Sequence, residues 1–233
     1  MTDSPPAPPA LDDFHPPYRL GAFGCAIFGV WSDPPGPQVG PYAPMRWPGG
    51  GYLGAALVLR YDVPSPDYPV VYGEIILSYV VRSGARLAAM PFDLVLDNAF
   101  YVAAGIEHYH LPKRLDETLR IDLESDSSGA PRRIAASGAD LTFDASLGGL
   151  GIPCAKGVTS ALLRGFTSHV PILGTVRPPV LRTIIALSPD AATTRRAEQA
   201  RITVRGRTLR PLSALFWRKL AITVGAPQPR SRD

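Results

Sequence analysis

Lysine is scarce in this sequence, and its scarcity narrows where lysine chemistry could reside. Of 24 basic residues only Lys113, Lys156 and Lys219 are lysines, which leaves 21 arginines. An unprotonated lysine amine can attack a ketone and form a protonated Schiff base, which then draws electrons from an adjacent carbon–carbon bond. Decarboxylation, aldol cleavage and proton abstraction all become easier. A free amine with a pKa near about 10.4 is rarely unprotonated at neutral pH. Burial disfavours an ammonium and a neighbouring cation repels it. Around Lys113 the sequence offers Leu111, Pro112 and Leu115 for the first effect and Arg114 for the second. In an arbitrary chain, however, a Lys-Arg pair after proline is ordinarily an exposed loop pair. Adjacent residues of a strand also face opposite ways, so Arg114 need not share the side of Lys113.

Two carboxylates and two imidazoles complete the reactive inventory. Glu74 stands inside the apolar run GEIILSYVV, where a carboxylate is costly unless it is paired or faces a cavity. Glu107 either finishes a short helix through a cap or salt bridge or serves a site. Glu107, His108 and His110 lie within four residues, and on an extended chain the two histidines would share a face as metal ligands do. A third ligand is missing, because Glu117 comes too late after His110 and His169 stands in an unrelated Thr-Ser-His-Val context. Packed or rim histidines are the commoner reading, and no metal is expected.

The elements that would position these groups are mainly strands. Gly51–Asp62, Pro69–Arg82 and Ala88–Asp97 are rich in β-branched, aromatic and aliphatic residues and are bounded by turn formers. Further strands are expected at Leu119–Glu124, Ile134–Phe143, Leu181–Leu187 and Ala200–Thr208, with a hairpin turn at Ser125–Gly129. One helix is expected over Asn98–Tyr109, opened by a capping residue, with Phe100, Ala103, Ala104 and Glu107 at helical spacing. Pro112 ends it, and Lys113 emerges where helix hands over to strand. Residues 1–17 carry six prolines and read as an extended tail, 18–224 as a single domain, and 225–233 as a frayed end.

The segment Leu96–Leu115, LDNAFYVAAGIEHYHLPKRL, resembles the signature of acetoacetate decarboxylase and its relatives. In that family an acidic turn leads into a short helix ending Gly-Arg-Glu, followed by Pro-Lys-Lys or Pro-Lys-Arg and usually Leu. The matching positions are Asp97, Ala104, Gly105, Glu107, Pro112, Lys113, Arg114 and Leu115, and Glu74 matches the family's glutamate on a preceding strand. The resemblance implies an α+β, mainly antiparallel fold, bent into a sheet or barrel around a central cavity with a few short helices. It also implies homo-oligomeric assembly and a Schiff-base lyase acting on a small or medium keto acid without a cofactor. The reaction would be decarboxylation, or aldol or dehydratase chemistry. Lys113, Arg114 and Glu74 would then be catalytic, and Glu107 would bind substrate. From strand position Tyr79, Met90 and Phe100 are expected as cavity walls, and Arg82 suits an anionic group. Two departures stand out. Ile106 replaces the family's arginine, and the connection after the Glu74 strand, VVRSGARLAAM, lacks the further catalytic glutamate. A non-catalytic binder of the same fold is the alternative.

Composition sets the outer limits. Hydrophobic residues make up 45% and charged residues 19%, an ordinary globular balance. The net charge of +4 gathers toward the C-terminal part, without interleaved aromatics or a nucleic-acid motif, so no nucleic-acid partner is expected. Cys25 and Cys154 form no metal or disulfide pattern, and no apolar run approaches a membrane span. A cytoplasmic location fits.

Overall fold

The computed structural model describes residues 7–33, 41–63, 65–125, 131–146, 170–189, 195–196 and 199–229. In chain order the strands are β1 (Tyr18–Trp31), β2 (Ala43–Pro44), β3 (Tyr52–Val63), β4 (Tyr72–Ser83) and β5 (Arg86–Leu96). A single described α-helix, α1 (Ala99–Tyr109), precedes β6 (Lys113–Leu115), β7 (Arg120–Ser125), β8 (Pro131–Gly138) and β9 (Leu141–Ser146). Then come β10 (Val170–Gly174), β11 (Leu181–Pro189), β12 (Arg195–Arg196), β13 (Gln199–Val204), β14 (Arg207–Val224) and β15 (Gln228–Pro229). No described helix is long and apolar enough to cross a membrane.

Seven of these strands close on themselves. The order β11-β10-β5-β4-β3-β1-β14 returns to β11 through pairing of Ile185 with Val224 and Pro189 with Leu220. All the pairings around this ring are antiparallel except β10 with β5. Closure removes the unpaired edges that an open sheet would expose. One arm of the sheet leaves the ring through β14 to β13, β9, β8 and β7, while β2, β6, β12 and β15 pair with β4, β5, β14 and β11.

Strand alternation then gives each ring strand two destinations. Ile75, Leu77, Tyr79 and Val81 of β4 point outward and pack with Ile134, Phe143 and Ile202 of β8, β9 and β13 in one filled core. Tyr72, Glu74, Ile76 and Ser78 point inward and line a cavity. Helix α1 closes over that interior with Tyr101, Ala104, Gly105 and Tyr109 buried.

Local signals explain the helix. The Asn98 side chain accepts from Tyr101 N–H at 3.2 Å, and His110 takes a left-handed conformation at φ 52° as the C-cap. Leu111 N–H donates back to Gly105 O at 3.1 Å, and Leu94 N–H donates to Pro112 O at 3.1 Å. The chain is thereby laid parallel to β5, with Lys113 opposite Leu94.

Several sequence expectations need correction. The single strand at Ile134–Phe143 is two, β8 and β9, joined by a turn at residues 139–140. Likewise the strand at Ala200–Thr208 breaks at Arg205 and Gly206, whose φ values of 46° and 74° make a tight hairpin. The proline-rich start is not wholly excluded from the fold, because a short 3-10 turn at Leu11–Asp13 delivers Phe14 into the interior at 1% exposure. Near the other end Gln228 and Pro229 pair with β11. The Ser125–Gly129 turn beyond Ser125, Cys154, Lys156 and His169 lie outside the described residues.

Candidate active site

Lys113 and Glu74 meet inside the ring. Lys113 Nζ lies 3.0 Å from Glu74 Oε1, and their side chains are 11% and 5% exposed. Tyr61 OH donates to the other carboxylate oxygen, Glu74 Oε2, at 2.8 Å. The register produces this meeting. Leu59 of β3 stands opposite Glu74, Tyr61 stands opposite Tyr72, and β5 carries Leu96 opposite Glu74 and Leu94 opposite Lys113. Burial, and next the charge of Glu74, push the Tyr61 phenol well above its usual range, so it remains a donor to the carboxylate.

Gly105 explains how the lysine reaches the interior. A methyl group at this position would overlap Lys113 Cδ and Cε, so the helix passes the lysine stem only where it carries no side chain. Glycine costs about 0.5–1 kcal/mol relative to alanine inside a helix, and at this position the close approach accounts for it.

An aromatic cluster flanks the pair. Tyr72 stacks on Tyr61 with centroids 4.3 Å apart and on Tyr101 at 3.9 Å, and Tyr101 OH donates to Tyr68 O at 2.6 Å. Phe14 stacks on Tyr18 at 4.4 Å. The cavity they border has about 160 Å³ of free space. Its wall comes from β1, β3, β4, β5, α1, β6, β10, β11 and β14, and among the described residues Glu74 and Lys113 are its only charged groups. One buried donor on this wall, Trp217 Nε1, has no hydrogen-bond partner among the described residues.

Other expected site residues lie elsewhere. Arg114 turns away from Lys113, donating to Asp93 at 2.9 Å and to Asp140 at 2.7 Å, because consecutive strand residues face opposite sides. Glu107 is on the exposed side of α1, ion-paired with Arg177 at 2.8 Å, and this guanidinium holds its carboxyl below the usual range. Arg82 is exposed at the end of β4. Tyr79 and Met90 face each other across β4 and β5 in the filled core, and Tyr79 OH donates to Asp33 O at 3.2 Å. Phe100 packs behind the cavity wall, edge-on to Phe14 at 5.0 Å and near Tyr68 at 4.6 Å. The extended-chain premise of a His108–His110 metal pair also falls. His108 is in the last helical turn, and His110 is its cap, with Nδ1 2.9 Å from Pro179 O. No cluster of three metal-ligating side chains occurs among the described residues.

The sequence reading missed Tyr61, Tyr72, Phe14 and Trp217. For Tyr61 and Tyr72 a signal existed, since odd-numbered β3 and even-numbered β4 residues share the face of Glu74 once the two strands are paired.

No family model and no curated protein matches the sequence. Solved structures do. Acetoacetate decarboxylase from Legionella pneumophila subsp. pneumophila str. Philadelphia 1 superimposes with a TM-score of 0.68 at 13% identity, over 98% of this chain and 93% of that one. The enduracididine biosynthesis enzyme MppR complexed with pyruvate matches at TM-score 0.58 and 14% identity, over 92% and 91%. An acetoacetate decarboxylase-like enzyme from Sphingomonas wittichii RW1 matches at 0.61 and 12%, over 92% of each. The chain has the acetoacetate decarboxylase-like fold, as its Lys113 segment led one to expect.

Proposed function

We propose that this protein is a Schiff-base-forming carbon–carbon lyase acting on a keto acid through Lys113. The observation that carries the reading is a lone amine projecting into a largely apolar cavity, 3.0 Å from a buried carboxylate that can take its proton. Glu74 accepts a proton from the ammonium, and the free amine adds to the substrate carbonyl carbon. The resulting carbinolamine loses its oxygen as water, protonated from Glu74, and leaves an iminium with Glu74 as counter-ion. With a β-keto acid the bond to the carboxylate then breaks, carbon dioxide departs, and its electron pair forms an enamine. Protonation of the enamine carbon and hydrolysis of the imine release the ketone and return the amine. With an α-keto acid the same iminium loses a proton to become an enamine that adds to an aldehyde, the aldol branch. Tyr61 keeps Oε2 of Glu74 occupied, so that Oε1 faces the amine.

The Glu74 carboxylate is the only one on the described cavity wall, and the β4–β5 connection is a tight hairpin through Gly84 with exposed Arg82 and Arg86. One carboxylate must therefore serve both the deprotonation and the return of the proton. That one similar structure holds pyruvate supports a keto acid as ligand. The test is borohydride reduction in the presence of a keto-acid panel, followed by peptide mass analysis, with assays for carbon dioxide and aldol product. Only three lysines need be distinguished. Label confined to Lys113 is expected. No label there across the panel, with calorimetric binding retained, overturns the lyase reading in favour of a binding protein.

A further inference from the structure

The cavity wall is almost wholly apolar. Its free space of about 160 Å³ is comparable with an apolar cavity of about 150 Å³ that takes up benzene. Charge is confined to the Lys113–Glu74 pair, and the remaining wall is largely hydrocarbon, including Leu20, Ile76, Ile185, Leu187 and Ile222. Such a chamber gains affinity from apolar surface and offers little to a second ionic group.

Trp217 adds a polar feature of a different kind. It is 1% exposed, lines the cavity, and its indole N–H has no partner among the described residues. A buried donor left unpaired is unfavourable and gains from any acceptor brought to it. Pairing places Trp217 opposite Gly24, and on the neighbouring strands Gly24 stands opposite Leu59 and Leu59 opposite Glu74. Trp217 thus stands on the ring wall three strands from Glu74 and faces the same chamber.

We infer that the preferred substrate is a keto acid bearing an apolar substituent, with a neutral acceptor oxygen for Trp217 Nε1. The inference rests on the Lys113 reading for the position of the carbonyl.

Straight-chain 2-oxo acids from pyruvate to 2-oxooctanoate, each longer one also as its terminal hydroxy derivative, are titrated calorimetrically into the intact protein and tested for borohydride trapping. Affinity is expected to rise about fourfold per added methylene until the chamber fills. The hydroxy derivatives should bind about tenfold tighter than their alkyl parents, and Trp217→Phe should remove that advantage while keeping the chain-length trend. Leu187→Trp, which fills part of the chamber, should blunt the trend. A flat series in the unaltered protein overturns the apolar chamber, whether or not Lys113 is trapped. Equal losses for hydroxy and alkyl acids in Trp217→Phe overturn the acceptor site. Tightening along the series with no trapping anywhere supports the chamber and overturns the lysine chemistry instead.

Discussion

Ile75 and Ile76 are identical side chains on consecutive residues of β4, with opposite surroundings. Ile75 is fully buried in the filled core outside the ring, against β8, β9 and β13. Ile76 borders the hollow interior. The same contrast runs round the ring, with side chains on the outer face packed against β8, β9 and β13, while aliphatic residues, tyrosines, one carboxylate and one lysine surround free space on the inner. The outer face holds the ring in shape, and that rigidity lets the inner face stay hollow with a buried ion pair. The two faces should therefore respond to substitution in different ways.

The largest contrast is at the pair itself. Removing one member of a buried ion pair leaves the other charge uncompensated, at a cost of about 3–5 kcal/mol. Lys113→Met should accordingly abolish borohydride trapping and lower the denaturation midpoint sharply. Adding Glu74→Gln should recover most of the stability and none of the trapping. If Lys113→Met is as stable as the parent, the pair is not the desolvated one seen at 11% and 5% exposure.

Next comes the isoleucine comparison. Ile75→Ala opens a void in close-packed surroundings and should cost about 2–5 kcal/mol. Ile76→Ala enlarges a space that already exists, loses fewer contacts, and should cost about 1 kcal/mol. Urea unfolding of the two variants measures the difference directly, and equal losses would mean that the interior is packed rather than hollow.

This two-faced design was only partly legible in the sequence. The helix could be read because its signals are local, Asn98 capping one end and Pro112 barring continuation past the other. Strand β1 went unread because Gly21, Gly24 and Gly29 dilute its β-forming residues, and the full run of β14 because Pro211 and its charges interrupt the alternation. Glu74 and Lys113 were legible because each is costly to bury alone and the motif resemblance linked them. Tyr79 was misassigned to the cavity although its odd separation from Glu74 already puts it on the opposite face, and Met90 follows Tyr79 by register. Which tyrosine reaches Glu74 is a matter of alignment between β3 and β4, information that neither strand carries by itself. Trp217 lies still further off in the chain and reaches the cavity only because the ring closes.

A smaller effect is a loss of stability at high pH. Burial pushes Tyr18 up to about 12, and burial together with the charge of Glu74 pushes Tyr61 and Tyr72 well above their usual range near 10. A folded-state value above the unfolded one means that the folded protein keeps protons the unfolded chain has lost. The contribution is fully present below about pH 10 and is lost as pH rises through the folded values. Stability should therefore fall from pH 10 upward, with tyrosinate absorbance appearing together with unfolding. Tyr61→Phe should soften that fall. Tyrosinate developing well before unfolding would show that these phenols are open to solvent.

The smallest expected effect concerns Arg114, and it sets chain neighbours against spatial ones. By sequence Arg114 is the cation beside Lys113, and its removal would be expected to change the lysine's reactivity. In the fold its guanidinium binds Asp93 and Asp140 on the far side of β6. Arg114→Gln should cost about 1–3 kcal/mol through the 6%-exposed Asp93 side chain, left with only Arg205 at 3.9 Å, yet leave the rate and pH profile of Lys113 trapping within about twofold of the parent, since a screened charge on the other face perturbs weakly. Gly105 makes the control, because it is eight positions away in the chain but in contact with the lysine stem. Gly105→Ala should slow trapping by about tenfold or more, since displacing the amine by an ångström is enough to spoil its geometry, while the helix itself loses nothing from alanine. Trapping rates measured on the two variants side by side decide the matter: if Arg114→Gln slows trapping more than Gly105→Ala does, Lys113 is governed by its neighbour in sequence and the placement of its side chain through the helix is wrong.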